Sequence, residues 1–252
     1  MKKLFAVLLA LSLLVSVSAV AFADTLVWAT NPEYPPFEYV EADVVVGYDA
    51  DLINAIAQKI GYEKAEPSIM QFSAVVSEVQ TNPDVIGVSG ISITEERKLA
   101  VNFSDGYIDA GLVVITKADA GYKTVDDLKG KVIGVQLGTT SDFKATEITG
   151  AANVATYNTF IDATLDLQGN KIDAVIVDGP VGQSILASLN DPSLIITDID
   201  LGAADWYGIA VNKDNTELLE KINKALAELK EEGFLSELAA KYFSGSEEAA
   251  AE

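Results

Sequence analysis

Short apolar runs of strand length alternate with helical patterns along most of this 252-residue chain. The runs are rich in β-branched residues, as strands buried on both faces of a sheet are. They fall at residues 26–29, 85–88, 112–115, 132–135, 154–157, 172–177 and 208–211. Strands that alternate with helices are typical of an α/β fold with parallel sheets. We therefore expect an α/β protein.

The helical segments between these strands have recognisable ends. Residues 51–60 place their apolar side chains on one face and stop at Gly61, and residues 216–232 are amphipathic and stop at Gly233. A further helix is expected at residues 234–243. Thr124 and Thr159 are each followed three residues later by an aspartate, which indicates a capping box at each helix start.

The two ends of the chain differ from the rest. Residues 1–23 contain two lysines, an apolar run at residues 4–17 and the sequence Ala21-Phe22-Ala23, which is the pattern of a secretory signal peptide. The apolar run is shorter than the roughly 20 residues of a membrane-spanning helix. We expect export to the periplasm or the exterior and cleavage after Ala23. Residues 246–252 are rich in alanine and glutamate, and we expect a disordered tail there.

Composition excludes several classes of function. The chain has no cysteine and no histidine, so disulfides, Ser-His-Asp triads, Cys-His dyads and the usual zinc sites are excluded. We expect no metal and no other cofactor. The formal net charge of −21 repels nucleic acid and anionic membrane surfaces. We expect a monomer that binds no nucleic acid and does not insert into a membrane after signal cleavage.

The basic residues comprise 16 lysines and a single arginine, Arg97. A guanidinium holds a carboxylate through two parallel hydrogen bonds, which a lysine cannot reproduce. Arg97 is therefore a candidate ligand-binding residue. The alternative is a surface or structural ion pair with Glu95, Glu96 or Asp105.

Six sequence segments occur in an order that is typical of one protein family. They are NPEYPPFEY at residues 31–39, VGYDADL at 46–52, GISITEERKLAVNFSDG at 90–106, DLKGKVIGVQLGTT at 127–140, IDAVIVD at 172–178 and YGIAV at 207–211. The set resembles the extracellular solute-binding proteins of polar amino acid ABC transporters, the glutamine-, histidine- and lysine-arginine-ornithine-binding type. The resemblance covers about residues 25 to 243.

The resemblance implies a two-lobed periplasmic binding protein fold of type II. Each lobe would be a mostly parallel sheet flanked by helices, with two hinge crossovers near residues 108–113 and 200–207. Lobe 1 would comprise residues 24–110 and 206–245, and lobe 2 residues 111–205. The ligand would lie in the cleft between the lobes, at the carboxyl ends of the strands.

The resemblance also implies how the first lobe holds an amino acid. Arg97 would bind the α-carboxylate, with help from the Ser92 hydroxyl and from the backbone N–H of Gly90, next to Ile91 on the same segment. Thr94 is the expected N-cap of the helix that carries Arg97. Simple capping and turn chemistry is the alternative for Ser92 and Thr94.

The second lobe would contribute two further contacts by the same resemblance. Gly138, Thr139 and Thr140 form a strand-to-helix turn that would bind the same carboxylate, through the Thr140 side chain and the Thr139 backbone. Asp178 ends the strand at residues 172–177 and would accept the ligand ammonium. As an alternative, Asp178 caps the helix that begins after it.

The remaining expected site residues would lie around the side chain of the ligand. Tyr34 and Phe72 hold the positions that enclose it in the family, although aromatic residues are more often core. Asn31 stands where members that bind basic ligands often carry aspartate. This departure favours a neutral polar ligand, with a cationic ligand next, because Glu33 is near and the protein is strongly negative.

Three functions remain open on sequence alone. The first is capture of an amino acid and its delivery to an ABC transporter permease. The second is ligand sensing together with a chemoreceptor or kinase. The third is a periplasmic cyclohexadienyl or arogenate dehydratase-like enzyme, which needs an acid in the cleft. Gly179 replaces a glutamate frequent in the family, which argues against the enzyme but does not exclude catalysis by Glu33.

Overall fold

A computed structural model describes residues 25–202 and 205–243 of the chain. The expected signal peptide at residues 1–23 and the expected tail at residues 246–252 lie outside the described residues. A membrane-spanning helix requires a longer apolar stretch than any helix in residues 25–202 and 205–243 provides.

The described residues form strands and helices in alternation. The strands are β1 (Thr25–Thr30), β2 (Glu33–Tyr34), β3 (Glu38–Glu41), β4 (Val44–Val46), β5 (Lys64–Ile69), β6 (Val85–Gly87), β7 (Asn102–Phe103), β8 (Ile108–Ala110), β9 (Leu112–Lys117), β10 (Ile133–Gln136), β11 (Val154–Tyr157), β12 (Ala174–Asp178), β13 (Leu194–Thr197), β14 (Asp205–Tyr207) and β15 (Ala210–Val211). The α-helices are α1 (Tyr48–Lys59), α2 (Phe72–Thr81), α3 (Glu95–Ala100), α4 (Thr140–Thr149), α5 (Phe160–Gln168), α6 (Gly179–Leu189), α7 (Thr216–Glu231) and α8 (Phe234–Phe243). Two short 3-10 helices lie at Val125–Leu128 and Ala151–Asn153.

The expected strands and helices agree closely with the structure. All seven expected strands overlap an observed strand, and the bounds differ by at most two residues. The helix expected at residues 234–243 has the observed bounds of α8. The capping box at Thr124 is confirmed, since both of its reciprocal hydrogen bonds with Asp127 are present. At Thr159, the side chain accepts a hydrogen bond from the backbone N–H of Asp162.

Two five-stranded sheets form the centre of the structure. The first has the order β5-β1-β6-β15-β7, and the second has the order β11-β10-β12-β9-β13. In each sheet three neighbouring strands are parallel, and the remaining pairings are antiparallel. The expected α/β class with mostly parallel sheets is thus confirmed, and in each sheet one strand runs antiparallel to the other four. The antiparallel strands β9 and β15 follow the two segments where the chain passes from one sheet to the other.

Those two passages lie side by side. Strands β8 and β14 form a separate antiparallel pair in which Ile108 lies opposite Tyr207 and Ala110 opposite Asp205. The chain leaves the first sheet through β8 and returns through β14, at the positions expected for the crossovers. Strands β8 and β14 thus connect the two sheets, which remain separate layers and face each other across this pair of strands.

Helices bury their apolar faces against both sheets. In α1, the side chains of Leu52, Ile53 and Ile56 are fully buried. Their three- and four-residue spacing produces one continuous apolar stripe, which is why this segment is a helix with a single buried face. In α7, Ile222 and Leu226 lie in the same core cluster. These contacts hold the ends of the strands in place.

Candidate functional site

The carboxyl ends of four parallel strands meet where the two sheets face each other. Asn31 follows β1, Ser89 follows β6, Gln136 ends β10 and Asp178 ends β12. Open α/β sheets bind ligands at this end of their strands. The side chains and backbone there enclose a small cavity of about 10 Å³. It is lined by Tyr34, Phe72, Gly90, Ser92, Arg97, Gln136, Thr139, Thr140 and Asp178.

Arg97 is buried at this cavity, and only 8% of its surface is exposed. Its Nη1 donates to the carbonyl of Ser92 at 2.9 Å, and its Nη2 donates to the carbonyl of Gly138 at 3.0 Å. The guanidinium carbon lies 5.4 Å from the centre of the Phe72 ring. Burial lowers the pKa of Arg97, and the negative charge of Asp178 opposes that shift. A guanidinium remains charged under these conditions.

The surface ion pair considered for Arg97 is not formed. Among the ion pairs of the described residues, Glu95 pairs with Lys98, and none of them includes Arg97. Thr94 is the N-cap of α3, and its side chain accepts a hydrogen bond from the backbone N–H of Arg97 at 3.1 Å. The cap expected at Thr94 is confirmed, and it starts the helix at the point that directs Arg97 into the cavity.

Gly90 has a backbone conformation that only glycine adopts easily, with φ of +53°. A Cβ atom at this position would lie 2.7 Å from Cε1 of Tyr34, so a side chain would displace the tyrosine ring. The backbone N–H of Gly90 donates to Oδ2 of Asp49 at 2.8 Å. We expected this N–H to face the ligand, but it donates to the buried carboxylate of Asp49 on the side away from the cavity.

The side chains of Ile91 and Ser92, which follow Gly90, have different surroundings. The Ile91 side chain lies in an apolar cluster with α2 and does not line the cavity. The Ser92 hydroxyl lies 3.5 Å from the Thr140 hydroxyl, so these two side chains meet across the cavity. Glu33 is exposed and does not line the cavity.

The turn at Gly138, Thr139 and Thr140 joins β10 to α4. Thr139 caps α4: its hydroxyl donates to the carbonyl of Gln136 and accepts from the N–H of Asp142. Its own N–H lies 3.4 Å from the same Gln136 carbonyl, and the N–H of Gly138 donates to Asp142. Thr140, the first residue of α4, is the member of this turn whose hydroxyl meets the Ser92 hydroxyl across the cavity.

Asp178 lies at the end of β12 and is 4% exposed. It occupies the N-cap position of α6, but its side chain makes no capping hydrogen bond. It accepts a hydrogen bond from the Tyr34 hydroxyl instead. Its Oδ1 atom is buried without a hydrogen-bond partner among the described residues. Burial raises the pKa of Asp178 to about 6, while the hydroxyls of Tyr34 and Tyr207 and the charge of Arg97 oppose that shift.

Two residues of the site escaped the sequence analysis. The Tyr207 hydroxyl lies 3.1 Å from the Tyr34 hydroxyl, and Tyr207 opens the segment YGIAV that was recognised only as a motif. Gln136 lies within another recognised segment, directly at the end of a strand. Its Nε2 donates to Oδ1 of Asn31 at 2.8 Å and to the carbonyl of Asn158 at 2.7 Å. Tyr207 and Gln136 both end strands, and this position is the feature by which the sequence could have identified them as site residues.

Eight of the eleven expected site residues line the cavity, whereas Asn31, Ile91 and Gly138 do not. The cavity contains one cationic and one anionic side chain, Arg97 and Asp178, with aromatic rings and neutral amides around them. The described residues hold no group of three or more carboxylates that could bind a metal ion. An arrangement of this kind can bind a small molecule that carries both charges.

The chain resembles known proteins over nearly its whole length. Residues 26–245 match the bacterial extracellular solute-binding proteins, family 3. The arginine-binding extracellular protein ArtP of Bacillus subtilis (strain 168) is 35% identical over 223 residues, which cover 87% of this chain and 86% of that protein. The solved structure of an ancestral arginine-binding protein bound to arginine has a TM-score of 0.81 at 37% identity, and the match covers 87% of this chain and 98% of that one. The corresponding structure bound to glutamine has a TM-score of 0.82 at 36% identity and covers 88% and 99%.

Proposed function

This chain belongs to the bacterial extracellular solute-binding proteins, family 3, and binds an amino acid for an ABC transporter; we propose that the amino acid is arginine. The relatives named above are arginine-binding proteins. The proposal draws its main support from one observation, which is the set of hydrogen-bond acceptors around Gln136.

Two neutral acceptors converge on one planar nitrogen in the cavity wall. Nε2 of Gln136 donates to the side-chain oxygen of Asn31 and to the carbonyl of Asn158. A guanidinium carries planar N–H groups of the same kind and has more of them, so it can use these acceptors when Gln136 turns aside. Among the residues that line the cavity, Arg97 is the only lysine or arginine, so a cationic side chain meets no second positive charge there.

The aromatic wall also suits a guanidinium. Phe72 already has the Arg97 guanidinium over its ring, and Tyr34 lies on the same wall. Stacking of a guanidinium on aromatic faces contributes roughly 0.5–2 kcal/mol. For these reasons we prefer arginine to the neutral polar ligand that Asn31 alone favours.

Glutamine is the second candidate. Its carboxamide can both donate to Asn31 and accept from Gln136, and the residues that meet it need no charge. The similarity to the solved structure of an ancestral arginine-binding protein bound to glutamine supports the same alternative.

Calorimetry with arginine, lysine, glutamine and citrulline distinguishes these ligands. We expect arginine to bind most tightly and lysine at least about tenfold more weakly, because a lysine ammonium cannot serve two planar acceptors in the same way. Citrulline has the shape of arginine without the charge and measures the contribution of the charge. Tighter binding of glutamine than of arginine would assign the site to glutamine. Mass spectrometry of the ligand that copurifies provides an independent identification.

The roles of the charged residues follow the chemistry of an amino acid. In this proposal Arg97 binds the α-carboxylate together with the hydroxyls of Ser92 and Thr140, and Asp178 accepts the α-ammonium. Support comes from the burial of both charges beside one cavity and from the open Oδ1 atom of Asp178. Charge-assisted hydrogen bonds in such a buried site are about twice as strong as neutral ones.

The same proposal divides the chain into two lobes at residues 24–110 with 206–245 and at residues 111–205. The paired strands β8 and β14 would be the hinge. A cavity of about 10 Å³ holds roughly one water molecule, so an amino acid enters only when the lobes separate. Closure around the ligand would then bring Arg97 and Asp178 onto it from opposite sides.

The remaining elements of the proposal concern chemistry and partners. We propose that the protein is a binding protein without catalytic activity, because members of its family are binding proteins and because Glu33, the candidate acid, lies outside the cavity.

The protein would act as a monomer, after removal of residues 1–23, and deliver arginine to the permease subunits of its transporter. A role in sensing with a chemoreceptor or kinase is the alternative, and transport assays in a strain lacking the permease separate the two.

A further inference from the structure

Two acidic side chains are buried outside the ligand cavity and have no cationic partner among residues 25–202 and 205–243. Glu38 opens β3 and Asp49 lies in the first turn of α1, and both are fully buried. Neither of them takes part in an ion pair of the described residues. Buried acids in proteins are normally paired with a cation or are protonated.

Both acids bind the segment that faces the ligand, and they do so on the side of that segment away from the cavity. Oδ2 of Asp49 accepts the backbone N–H of Gly90 at 2.8 Å and the hydroxyl of Tyr107 at 2.9 Å. Oε1 of Glu38 accepts the hydroxyl of Ser89 at 2.7 Å. The same Ser89 oxygen accepts the backbone N–H of Asn31 at 3.0 Å. The two carboxyl groups therefore fix the backbone of Asn31, Ser89 and Gly90 from the side opposite the cavity.

One oxygen of each acid has no hydrogen-bond partner within residues 25–202 and 205–243. These atoms are Oε2 of Glu38 and Oδ1 of Asp49, and both are buried. The two carboxyl groups lie within interaction distance of each other, and two such carboxylates without a cation repel each other. A single proton on one of them removes that repulsion and supplies a donor to the other.

We propose that Glu38 and Asp49 share one proton at neutral pH and act as positioning residues that hold the Ser89–Gly90 segment in its ligand-binding conformation. Only the ligand measurement in this proposal rests on the proposed function. The proton can be observed in the protein alone.

The burial and charges around Glu38 and Asp49 agree with one shared proton. Burial, followed by the negative charge of Asp49, raises the pKa of Glu38 well above its usual range. Burial raises the pKa of Asp49 to about 6, while the Gly90 N–H and the Tyr107 hydroxyl oppose that shift. Asp49 accepts two hydrogen bonds, which stabilise its anion, whereas Glu38 accepts one, so Glu38 is assigned the proton. The titratable groups that face the pair are Tyr34, Tyr48 and Tyr107, and burial raises the pKa of each, so all three remain neutral.

The first experiment detects the proton directly. Carbon-detected NMR of the wild-type protein measures the ionisation of each carboxyl carbon, and the E38Q variant assigns the Glu38 signal by its loss. We expect the Glu38 carboxyl to remain protonated at pH 7. A Glu38 signal that titrates in the ordinary range of a glutamate, near pH 4.3, overturns the proposal.

The second experiment uses the pH dependence of stability. Wild-type Glu38 keeps its proton in the folded state and loses it in the unfolded state above the ordinary glutamate pKa. Protein stability from this group is therefore greatest in acid and declines as the pH rises. We expect the melting temperature of wild type to fall more steeply between pH 5 and pH 7 than that of E38Q. Asp178 contributes equally to both proteins and cancels in the comparison.

Glu33→Gln is the matched control, because Glu33 is exposed and lies close to Glu38 in the chain. This variant removes the same charge and should retain the wild-type slope. If E38Q has the same slope as wild type and E33Q, Glu38 does not carry a proton into the folded state and the proposal fails.

The third experiment tests the positioning role with arginine as the probe. The glutamine side chain of the E38Q variant retains an acceptor for Ser89 and an N–H donor for Asp49, so E38Q should bind arginine within about twofold of wild type. E38M has nearly the same length but neither group, and it should bind at least about tenfold more weakly. Equal affinities of E38M and wild type would overturn the positioning role, while the NMR measurement would still decide the proton. If wild type itself does not bind arginine, the ligand assignment fails and the NMR and stability results stand independently.

Discussion

The hydroxyl of Tyr34 donates a hydrogen bond to the carboxylate of Asp178, which lies 144 positions further along the chain. Tyr34 ends β2, which comes after the first-sheet strand β1 in the chain, and Asp178 ends a strand of the second sheet. Two further hydrogen bonds join the same two sides, from Arg97 to Gly138 and from Gln136 to Asn31. The groups proposed to bind the ligand are therefore also the groups that hold the two sides together.

Replacement of Arg97 by lysine should weaken ligand binding by about 1.5–3 kcal/mol, which is roughly 10- to 150-fold in affinity. Lysine keeps the charge but lacks the planar fork that reaches both Ser92 and Gly138. Calorimetry measures the change, and circular dichroism checks the fold. Lys98→Arg is the control, because Lys98 is the exposed neighbour of Arg97. Unchanged affinity in R97K would remove Arg97 from the ligand site.

Asp178→Asn should weaken the binding of an amino acid more than the binding of its deaminated analogue. The amide has the shape of the carboxylate but no charge to attract an ammonium, and the analogue has no ammonium to lose. Both affinities can be measured by calorimetry, with Asp198→Asn as the control for an exposed aspartate in the same part of the chain. An equal loss for both ligands would contradict the role of Asp178 as the ammonium acceptor.

Ligand affinity should decrease in mild acid. The pKa of Asp178 is raised to about 6, so the carboxylate that accepts an ammonium is lost below that pH. From pH 7 to pH 5 we expect affinity to fall roughly tenfold, since each pH unit below the pKa removes about a factor of ten of the ionised form. Titration calorimetry across this range tests the effect, and D178N should show a much flatter profile. A wild-type profile as flat as that of D178N would contradict it.

The stability of the ligand-free protein should show the opposite trend. The folded pKa of Asp178 is raised, so its proton is retained in the folded state and lost from the unfolded state between about pH 4 and pH 6. Stability from this group is present below that window and is lost as the pH rises through it. D178N should therefore be stabilised relative to wild type at pH 7, by a thermal unfolding measurement. A variant that is less stable than wild type at pH 7 would show that Asp178 stabilises the fold as a carboxylate.

Gly90→Ala should destabilise the protein and weaken binding. The backbone φ of +53° costs an alanine roughly 1 kcal/mol, and its Cβ would also displace the Tyr34 ring. Gly121→Ala is a matched control, because Gly121 has φ of +70° and open space around its Cβ position. The excess loss in G90A over G121A measures the clash with Tyr34. Equal losses would show that Tyr34 moves aside without cost.

Ligand should bring the two lobes together. The absence of cysteine allows labels at Gln80→Cys and Thr146→Cys, which are exposed positions on α2 and α4. We expect the distance distribution between the labels to become shorter and narrower with saturating arginine. The shift should be smaller in Thr140→Val, which lacks the hydroxyl that meets Ser92. An unchanged distribution with saturating ligand would contradict the hinge.

Much of the fold could be predicted from local sequence patterns. The seven expected strands are β-branched apolar runs whose burial on both faces is visible in their composition. The strand at Lys64–Ile69 was not predicted, because KAEPSI contains two charged residues and a proline. Such a segment is compatible with an edge strand, and β5 is indeed at the edge of its sheet.

Part of the site could also be predicted. Arg97 stood out as the only arginine of the chain, and its burial beside Phe72 agrees with a special role. Gln136 offered only its place at the end of a strand, and the buried pair Glu38 and Asp49 gave no comparable signal. Glutamine and acidic residues are usually exposed, so their residue types do not indicate burial.

The amino-acid sequence by itself determined the α/β elements, the absence of thiol and imidazole chemistry, and the residues available for binding an amino acid. Only the tertiary structure decided which of those residues meet. The Tyr34–Asp178 and Gln136–Asn31 contacts join residues more than 100 positions apart. Their pairing depends on how the crossover strands orient one sheet against the other. Hydrogen bonds act over about 3 Å, so the identity of the partners depends on that packing and not on any pattern along the chain.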